Sequence, residues 1–251
     1  MKTALLLSGH ARFCAEFDMQ IDNLKNSHID WFVVLWTRRY GDGSERNELM
    51  PPSWQATTAE EARTIIESKL PPGHRLAHIE LVDPTEFPPL TKQYKRIDCT
   101  VENLFQQYWM LKKCDQARLQ SGNNYDLVIR SRPDIGIDAS LDLVRVHNFL
   151  EQNPNYIITP SNHRNCGFND MFAIGLPNTI KTYCEAVDHI DHFNLNLNVQ
   201  LHSELMISTI LGSQGLQWPM TNFKVSLRKM GTGSDVAEDN DPFIPYFGKW
   251  A

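Results

Sequence analysis

The stretch Tyr125-Asp-Leu-Val-Ile-Arg-Ser-Arg-Pro-Asp-Ile-Gly-Ile-Asp138 decides the fold class. Its residues 127–129, Leu-Val-Ile, form a continuous apolar run, which is typical of a strand in a sheet covered on both faces. Arg130 and Arg132 lie two apart, so in an extended chain both side chains point to the same side, and Pro133 then ends the strand. Ligands of open α/β sheets bind at the carboxyl ends of the strands. The stretch therefore predicts an α/β protein with two cations at a ligand-binding edge.

Two carboxylates follow the same strand. Asp134 and Asp138 lie in the predicted exit loop, where they offer oxygen ligands for a metal ion or for sugar hydroxyls, beside cations suited to phosphate. The alternative is that Arg130 or Arg132 pairs with a nearby acid and only closes the sheet.

A second group of donors follows the first predicted strand, residues 4–7. The exit turn Ser8-Gly9-His10-Ala11-Arg12 leads into a helix, and Gly9 allows a sharp turn or the close approach of a ligand. His10 and Arg12 place two donors where that helix begins. The turn lacks both Gly-x-Gly-x-x-Gly and the P-loop motif, so the sequence supports neither a dinucleotide-binding fold nor a P-loop. A purely structural alternative is that His10 caps the helix and Arg12 is solvated.

The composition limits the class of protein further. The chain has 251 residues, 41% of them hydrophobic, and a formal net charge of −6. It is therefore long enough for a large α/β core, and without a basic block it is a poor candidate for binding nucleic acid. The five cysteines show no Cys-x-x-Cys spacing and predict reduced thiols in a cytoplasmic protein. No apolar run approaches the roughly 20 residues of a transmembrane segment.

Periodicity and capping signals place the remaining elements. Thr58-Ala-Glu-Glu61 has the spacing of a capping box and predicts a helix over 58–70. We divide the chain into a domain over 1–230 and a C-terminal arm over 231–251 that packs on it. The other predicted elements are strands at 31–36, 76–82, 156–159 and 170–175, helices at 98–119, 140–151, 177–191 and 205–211, and a long loop at 40–55.

Four segments together resemble a family of GT-A-type glycosyltransferases found in bacterial and phage or algal-virus genomes. They are Leu5-Leu-Leu-Ser-Gly-His-Ala-Arg12, Phe32-Val-Val-Leu-Trp36, Tyr125-Asp-Leu-Val-Ile-Arg-Ser-Arg-Pro-Asp134 and Asn169-Asp-Met-Phe-Ala-Ile-Gly175. The resemblance covers roughly residues 3–212, and the Arg-x-Arg-Pro-Asp element is its most specific part. It implies a single-domain, GT-A-like α/β/α sandwich with a mostly parallel sheet.

The resemblance also implies a nucleotide-sugar donor, held by the exit loop of the first strand. The donor-binding candidates are Ser8, Gly9, His10, Arg12, Arg130 and Arg132. Members of such folds bind a divalent metal through an Asp-x-Asp motif, whereas this chain keeps one acid, Asp134, and has Arg132 in the place of the other. Asp134 is thus the metal candidate, for Mn²⁺ or Mg²⁺, and an arginine that replaces part of the metal's charge is the alternative.

By the same resemblance Asp170 matches an acid that faces the acceptor, and it is the first candidate for the general base of an inverting displacement. Glu204 is the second candidate. The sequence hypothesis is a glycosyltransferase that moves a sugar from a nucleoside-diphosphate donor to a hydroxyl of a glycan or glycoconjugate. Two alternatives stay open: a non-catalytic module that binds nucleotide sugars or glycans on the same fold, and a transferase of phosphate or sulfate groups.

Overall fold

The computed structural model describes residues 1–11, 13, 15–24, 28–36, 56–96, 101–162, 168–219, 221 and 223–227. Arg12, the predicted loop 40–55 and the predicted arm 231–251 lie outside the described residues, so the boundary at residue 230 stays a prediction.

A five-stranded sheet forms the centre of the molecule, with strand order β3-β2-β1-β4-β6. The first four strands in this order are parallel, and β6 pairs antiparallel with β4. This confirms the α/β class and the mostly parallel sheet. The strands are β1 (Thr3–His10), β2 (Ile29–Trp36), β3 (His74–Val82), β4 (Leu127–Ser131) and β6 (Ala173–Gly175), and a separate antiparallel pair joins β5 (Ile135–Ile137) to β7 (Val225–Leu227).

Helices cover both faces of the sheet. They are α1 (Ala15–Leu24), α2 (Ala59–Lys69), α3 (Val101–Gln120), α4 (Leu143–Gln152), α5 (Pro177–Cys184) and α6 (Ser203–Ser213), with 3₁₀ turns at Pro84–Glu86 and Glu185–His189 and a π turn at His192–Asn196. Side chains alternate across each strand. In β1, Leu5 and Leu7 join the core with α1, α2 and α4, whereas Ala4 and Leu6 join the core with α3, α5 and α6. The fold is thus a three-layer α/β/α sandwich.

Local signals in the sequence explain where two helices begin. The Thr58 hydroxyl accepts a hydrogen bond from the Glu61 amide at 3.1 Å, and the Glu61 carboxylate accepts one from the Thr58 amide at 3.3 Å. This confirms the predicted capping box. The helix predicted from residue 140 begins at Leu143 instead, because Asp142 caps it by accepting from the Val144 and Arg145 amides.

Three further predicted elements differ from the structure, and one of them, the strand predicted over 170–175, is shortened to β6, Ala173–Gly175. Residues 156–159 form no strand, because Tyr156 makes an isolated bridge to Gln217 and Ile158 makes one to Ile174, so no continuous ladder develops. The helix predicted over 177–191 is α-helical only as far as Cys184 and then tightens into a 3₁₀ turn. Within the described ranges, no helix combines the length and the apolar character that crossing a membrane requires.

Candidate functional site

The two donor clusters predicted from the sequence meet at one edge of the sheet. β1 and β4 are neighbouring parallel strands, and β4 ends at Ser131 opposite Leu7. β1 continues to His10 at the same edge because residues 8–10 pair with β2, so the exit turn predicted from Ser8 begins later than expected. Gly9 has φ = +149°, and a Cβ there would lie 3.1 Å from the Pro133 Cδ atom. A larger residue at position 9 would therefore have a strained backbone and would push the end of β1 away from Pro133.

Polar side chains near the carboxyl ends of β1 and β4 lie on the face of the sheet that packs on α3, α5 and α6. Ser8 continues the alternation of Ala4 and Leu6, and Arg130 lies opposite Leu6. The Ser8 hydroxyl oxygen is buried and has no hydrogen-bond partner among the described residues. The structure thus brings Ser8, Gly9 and the Arg130–Asp134 segment together, while Arg12 lies outside the described residues.

Arg130 is the most unusual side chain of the site. It has 0% relative exposure, and none of its three guanidinium nitrogens has a hydrogen-bond partner within the described part of the chain. Its charge acts electrostatically on Tyr108 and Tyr183, whose pKa values are nevertheless raised, first of all by burial. A buried cation without hydrogen bonds costs folding free energy, so its presence is a candidate signature of function.

Arg132 differs from Arg130 because it has a partner two residues away. Its Nε and Nη2 atoms donate to the two carboxylate oxygens of Asp134 at 2.8 and 2.7 Å, in the bidentate geometry that arginine forms with carboxylates and phosphates. Burial alone would lower the pKa of Arg132, but the charge and hydrogen bonds of Asp134 outweigh it and raise the pKa. The guanidinium is therefore a permanent cation at this edge.

Helix α1 fixes the turn that carries this pair. The buried Gln20 side chain donates from Nε2 to the carbonyl oxygens of Arg132 at 3.0 Å and Ile135 at 3.1 Å. The Gln20 side-chain amide thus binds both ends of the turn between β4 and β5, and Pro133 lies in the space beside Gly9. The backbone between β4 and β5 is held from two sides.

Asp170 belongs to a second polar group, which joins three elements. Its Oδ2 atom accepts a hydrogen bond from Gln107 Nε2 of α3 at 3.0 Å and another from the Ser203 hydroxyl of α6. The Tyr108 hydroxyl lies 3.2 Å from the Ser203 hydroxyl oxygen. These bonds hold the carboxyl group in one orientation and leave Oδ1 as its second acceptor.

The backbone around Asp170 is also held. Tyr183 of α5 donates its hydroxyl to the Asp170 carbonyl oxygen at 3.1 Å, and the side chain of Asn169 accepts from the Met171 amide at 2.8 Å. Asp170 is 7% exposed, and its negative charge acts on Arg132 and Tyr183. The candidate base and Arg132 are therefore close enough to influence each other electrostatically. Glu204, the second candidate, is buried in the first turn of α6 beside Ser203.

The arrangement does not fit a divalent metal ion at Asp134. Both carboxylate oxygens of Asp134 are engaged by Arg132. Across the described ranges, no group of three or more His, Cys, Asp or Glu side chains is placed to hold a metal ion. We therefore derive no chemical step through a metal.

The sequence reasoning missed the residues that hold the candidates in place. Gln20, Gln107 and Ser203 reach their partners across 112, 63 and 33 residues of chain. The one available signal was the position of Ser203, directly before the candidate Glu204 at the start of α6.

Comparisons with known proteins give structural matches only. No protein-family model and no curated protein sequence matches the chain. Among solved structures, the chain is similar to the glycosyltransferase GlyE of Streptococcus pneumoniae TIGR4, with 14% identity and a TM-score of 0.42 over 87% of this chain and 44% of that one. It is also similar to apo mouse xyloside xylosyltransferase 1, with 11% identity and a TM-score of 0.44 over 88% of this chain and 86% of that one. Both structural neighbours are glycosyltransferases, and at this level of similarity neither decides the function of the chain.

Proposed function

We propose that the chain is a glycosyltransferase that moves a sugar from a nucleoside-diphosphate donor to a hydroxyl of a glycan or glycoconjugate. The observation that carries the proposal is the meeting of the end of β1, Ser8–His10, and the Arg130–Asp134 segment at the carboxyl edge of neighbouring parallel strands, with the charge of Asp170 acting on Arg132. That edge is where α/β sheets bind ligands. The sequence resemblance to GT-A-type glycosyltransferases supports the same reading.

The two arginines have different roles in this proposal. Arg132 is partly exposed, so it contacts the diphosphate directly, whereas the enclosed Arg130 adds positive charge from beneath the site. When the bond from the anomeric carbon to the diphosphate breaks, negative charge develops on the leaving oxygen. Preorganised cations stabilise that charge.

Asp170 is the proposed general base. Its Oδ1 atom takes the proton of the acceptor hydroxyl while the acceptor oxygen attacks the anomeric carbon from the face opposite the leaving group. The products are the glycosylated acceptor, the nucleoside diphosphate and a protonated carboxyl group, which then releases its proton to solvent. Gln107 and Ser203 keep Oδ2 occupied, which orients Oδ1.

The remaining expectations belong to the same proposal. Buried Cys114 and Cys184 are free thiols, as expected of a cytoplasmic enzyme. A divalent ion such as Mn²⁺ or Mg²⁺, if the reaction uses one, would need ligands beyond those that Asp134 offers while it is paired with Arg132.

The first test is a thermal-shift panel of UDP-, GDP-, CDP- and dTDP-sugars, each with manganese and with a chelator. A ligand that binds only the native state stabilises it by roughly 2.7 kcal/mol at a hundred times its dissociation constant, so a true donor raises the melting temperature. Hydrolysis or transfer of that donor would then separate the enzyme from a non-catalytic binding module. The absence of a shift with every donor contradicts the proposal.

A further inference from the structure

Asp134 occupies the guanidinium of Arg132, which is the group that the proposed nucleotide-sugar donor needs. A phosphate presents two oxygens to a guanidinium in the same bidentate geometry as a carboxylate. In the structure Asp134 takes Nε and Nη2 of Arg132, and the two side chains are only 24% and 13% exposed. A diphosphate that approaches this side of Arg132 therefore finds the Nε and Nη2 hydrogen-bond donors already bound to Asp134. It also meets the negative charge of that carboxylate.

Opening the backbone of the turn to relieve this competition would break its hydrogen bonds to Gln20. Gln20 binds the carbonyl oxygens on both sides of the turn, at Arg132 and Ile135, and Pro133 lies against Gly9. Any rearrangement must therefore come from rotation of the Arg132 and Asp134 side chains on a fixed main chain.

We propose that the Arg132–Asp134 pair is a closed form of the donor site, and that a diphosphate binds by displacing Asp134 from the guanidinium. The inference rests on the proposed function, because it assumes that Arg132 receives the diphosphate. It assigns Asp134 an inhibitory contact in the free protein, in place of the metal-binding role expected from the sequence. Donor affinity is then set partly by the free energy of breaking an internal ion pair.

The test measures binding of inorganic pyrophosphate and of UDP by isothermal titration calorimetry, with EDTA present so that no divalent ion engages the released carboxylate. In Asp134→Asn the competitor is gone, and we expect both ligands to bind about tenfold more tightly than to the wild type. Asp188→Asn is the matched control: it makes the same change of charge at an exposed carboxylate paired with Lys112, and it should leave the affinity unchanged. Asp134→Ser replaces Asp134→Asn if the latter does not fold.

Arg132→Gln completes a double-mutant cycle. If the diphosphate displaces Asp134 from Arg132, the gain in ligand affinity caused by Asp134→Asn should vanish when Arg132 is also replaced. A gain that persists without Arg132 would instead mean simple repulsion through space, and a loss of affinity in Asp134→Asn would mean that Asp134 orients Arg132; either result overturns the inference and leaves the proposed function standing. If neither ligand binds any variant, and no nucleotide sugar shifts the melting temperature, the proposed function fails together with the inference.

Discussion

The two edges of the central sheet treat buried charge in opposite ways. At the amino ends of the parallel strands, Asp30 accepts hydrogen bonds from Arg75 at 2.9 and 2.7 Å and from the Tyr125 hydroxyl at 2.8 Å, and it forms an ion pair with Lys2 at 3.5 Å. At the carboxyl ends, Arg130 has no hydrogen-bond partner among the described residues, and neither does the Ser8 hydroxyl. The buried charge of the amino edge is therefore paired, although the buried Thr3 hydroxyl there also has no hydrogen-bond partner among the described residues. At the carboxyl edge it is the charged group itself, Arg130, that has none in that part of the chain.

This difference separates stabilisation from function. A polar group that is buried and fully bonded contributes to stability, whereas one that is buried and unbonded lowers it. The amino edge therefore holds the strands β1 to β4 in register. The carboxyl edge carries a cost in stability that a bound anion would offset.

The largest expected effect lies at the carboxyl edge. Asp170→Asn keeps the hydrogen-bonding shape of the side chain but removes the proton acceptor, so transfer from the donor identified in the thermal-shift panel should fall by about 10²- to 10⁴-fold. Donor binding, measured by calorimetry, should not weaken, because Asp170 serves the acceptor and its negative charge, which acts on Arg132, opposes a diphosphate there. Asp188→Asn serves again as a surface control. Full transfer activity in Asp170→Asn would rule out Asp170 as the base. The same assay would then be made on Glu204→Gln, the variant of the second candidate.

The second expected effect is a difference in sign: replacing one buried arginine should lower the stability of the protein, whereas replacing another should not. Arg118 is as enclosed as Arg130, but it pairs with Asp115 at 2.7 Å. Arg118→Met leaves Asp115 buried without its partner and should destabilise the protein by about 3 kcal/mol. Arg130→Met removes a cation that has no hydrogen-bond partner among the described residues, and it should leave the stability unchanged or raise it by up to about 2 kcal/mol, because an apolar side chain of similar length suits the core better.

Urea midpoints of the two variants check this contrast, and the donor-induced thermal shift should decrease in Arg130→Met alone. Equal destabilisation by both substitutions would show that Arg130 is a structural residue. In that case the comparison of the two edges would no longer point to a ligand site.

The sequence predicted the sheet edge but not the framework behind it. The apolar runs of β1, β2 and β4 and the capping box at Thr58 are local signals, and each of them led to an element that the structure contains. The clamp of Gln20 on the turn and the bonds of Gln107 and Ser203 to Asp170 depend on how α1, α3 and α6 pack. No local pattern encodes such contacts, because they join residues far apart in the chain.

The same limit applies to the amino edge, where Asp30 gave no signal beyond its place before a strand. Its partners come from β3, from the segment before β4 and from the amino terminus, and they converge only because parallel strands begin at one edge. Pairing across an edge is a property of the strand order, which the sequence did not specify.

The smallest effect is the acid dependence of the amino edge. Burial alone would raise the pKa of Asp30, but its bonds to Arg75 and Tyr125 outweigh burial and hold the pKa below the usual value. A lowered pKa means that the stabilisation is complete above the unfolded value of about 3.9 and is lost as the pH falls through the folded value. Because Arg75 is largely exposed, Asp30→Asn should cost only about 1 kcal/mol at pH 6.

The difference in stability between wild type and Asp30→Asn should therefore stay level from pH 6 to about pH 4 and shrink as the pH falls further, as measured by urea midpoints at each pH. Tyr125→Phe is the matched comparison, since it removes one hydrogen bond to Asp30 and keeps the pair with Arg75; its cost should be smaller at pH 6 and should fade over the same range. A difference that stays constant with pH would mean that ionised Asp30 does not stabilise the fold, and the amino edge would then lose its role as the satisfied counterpart of the ligand edge.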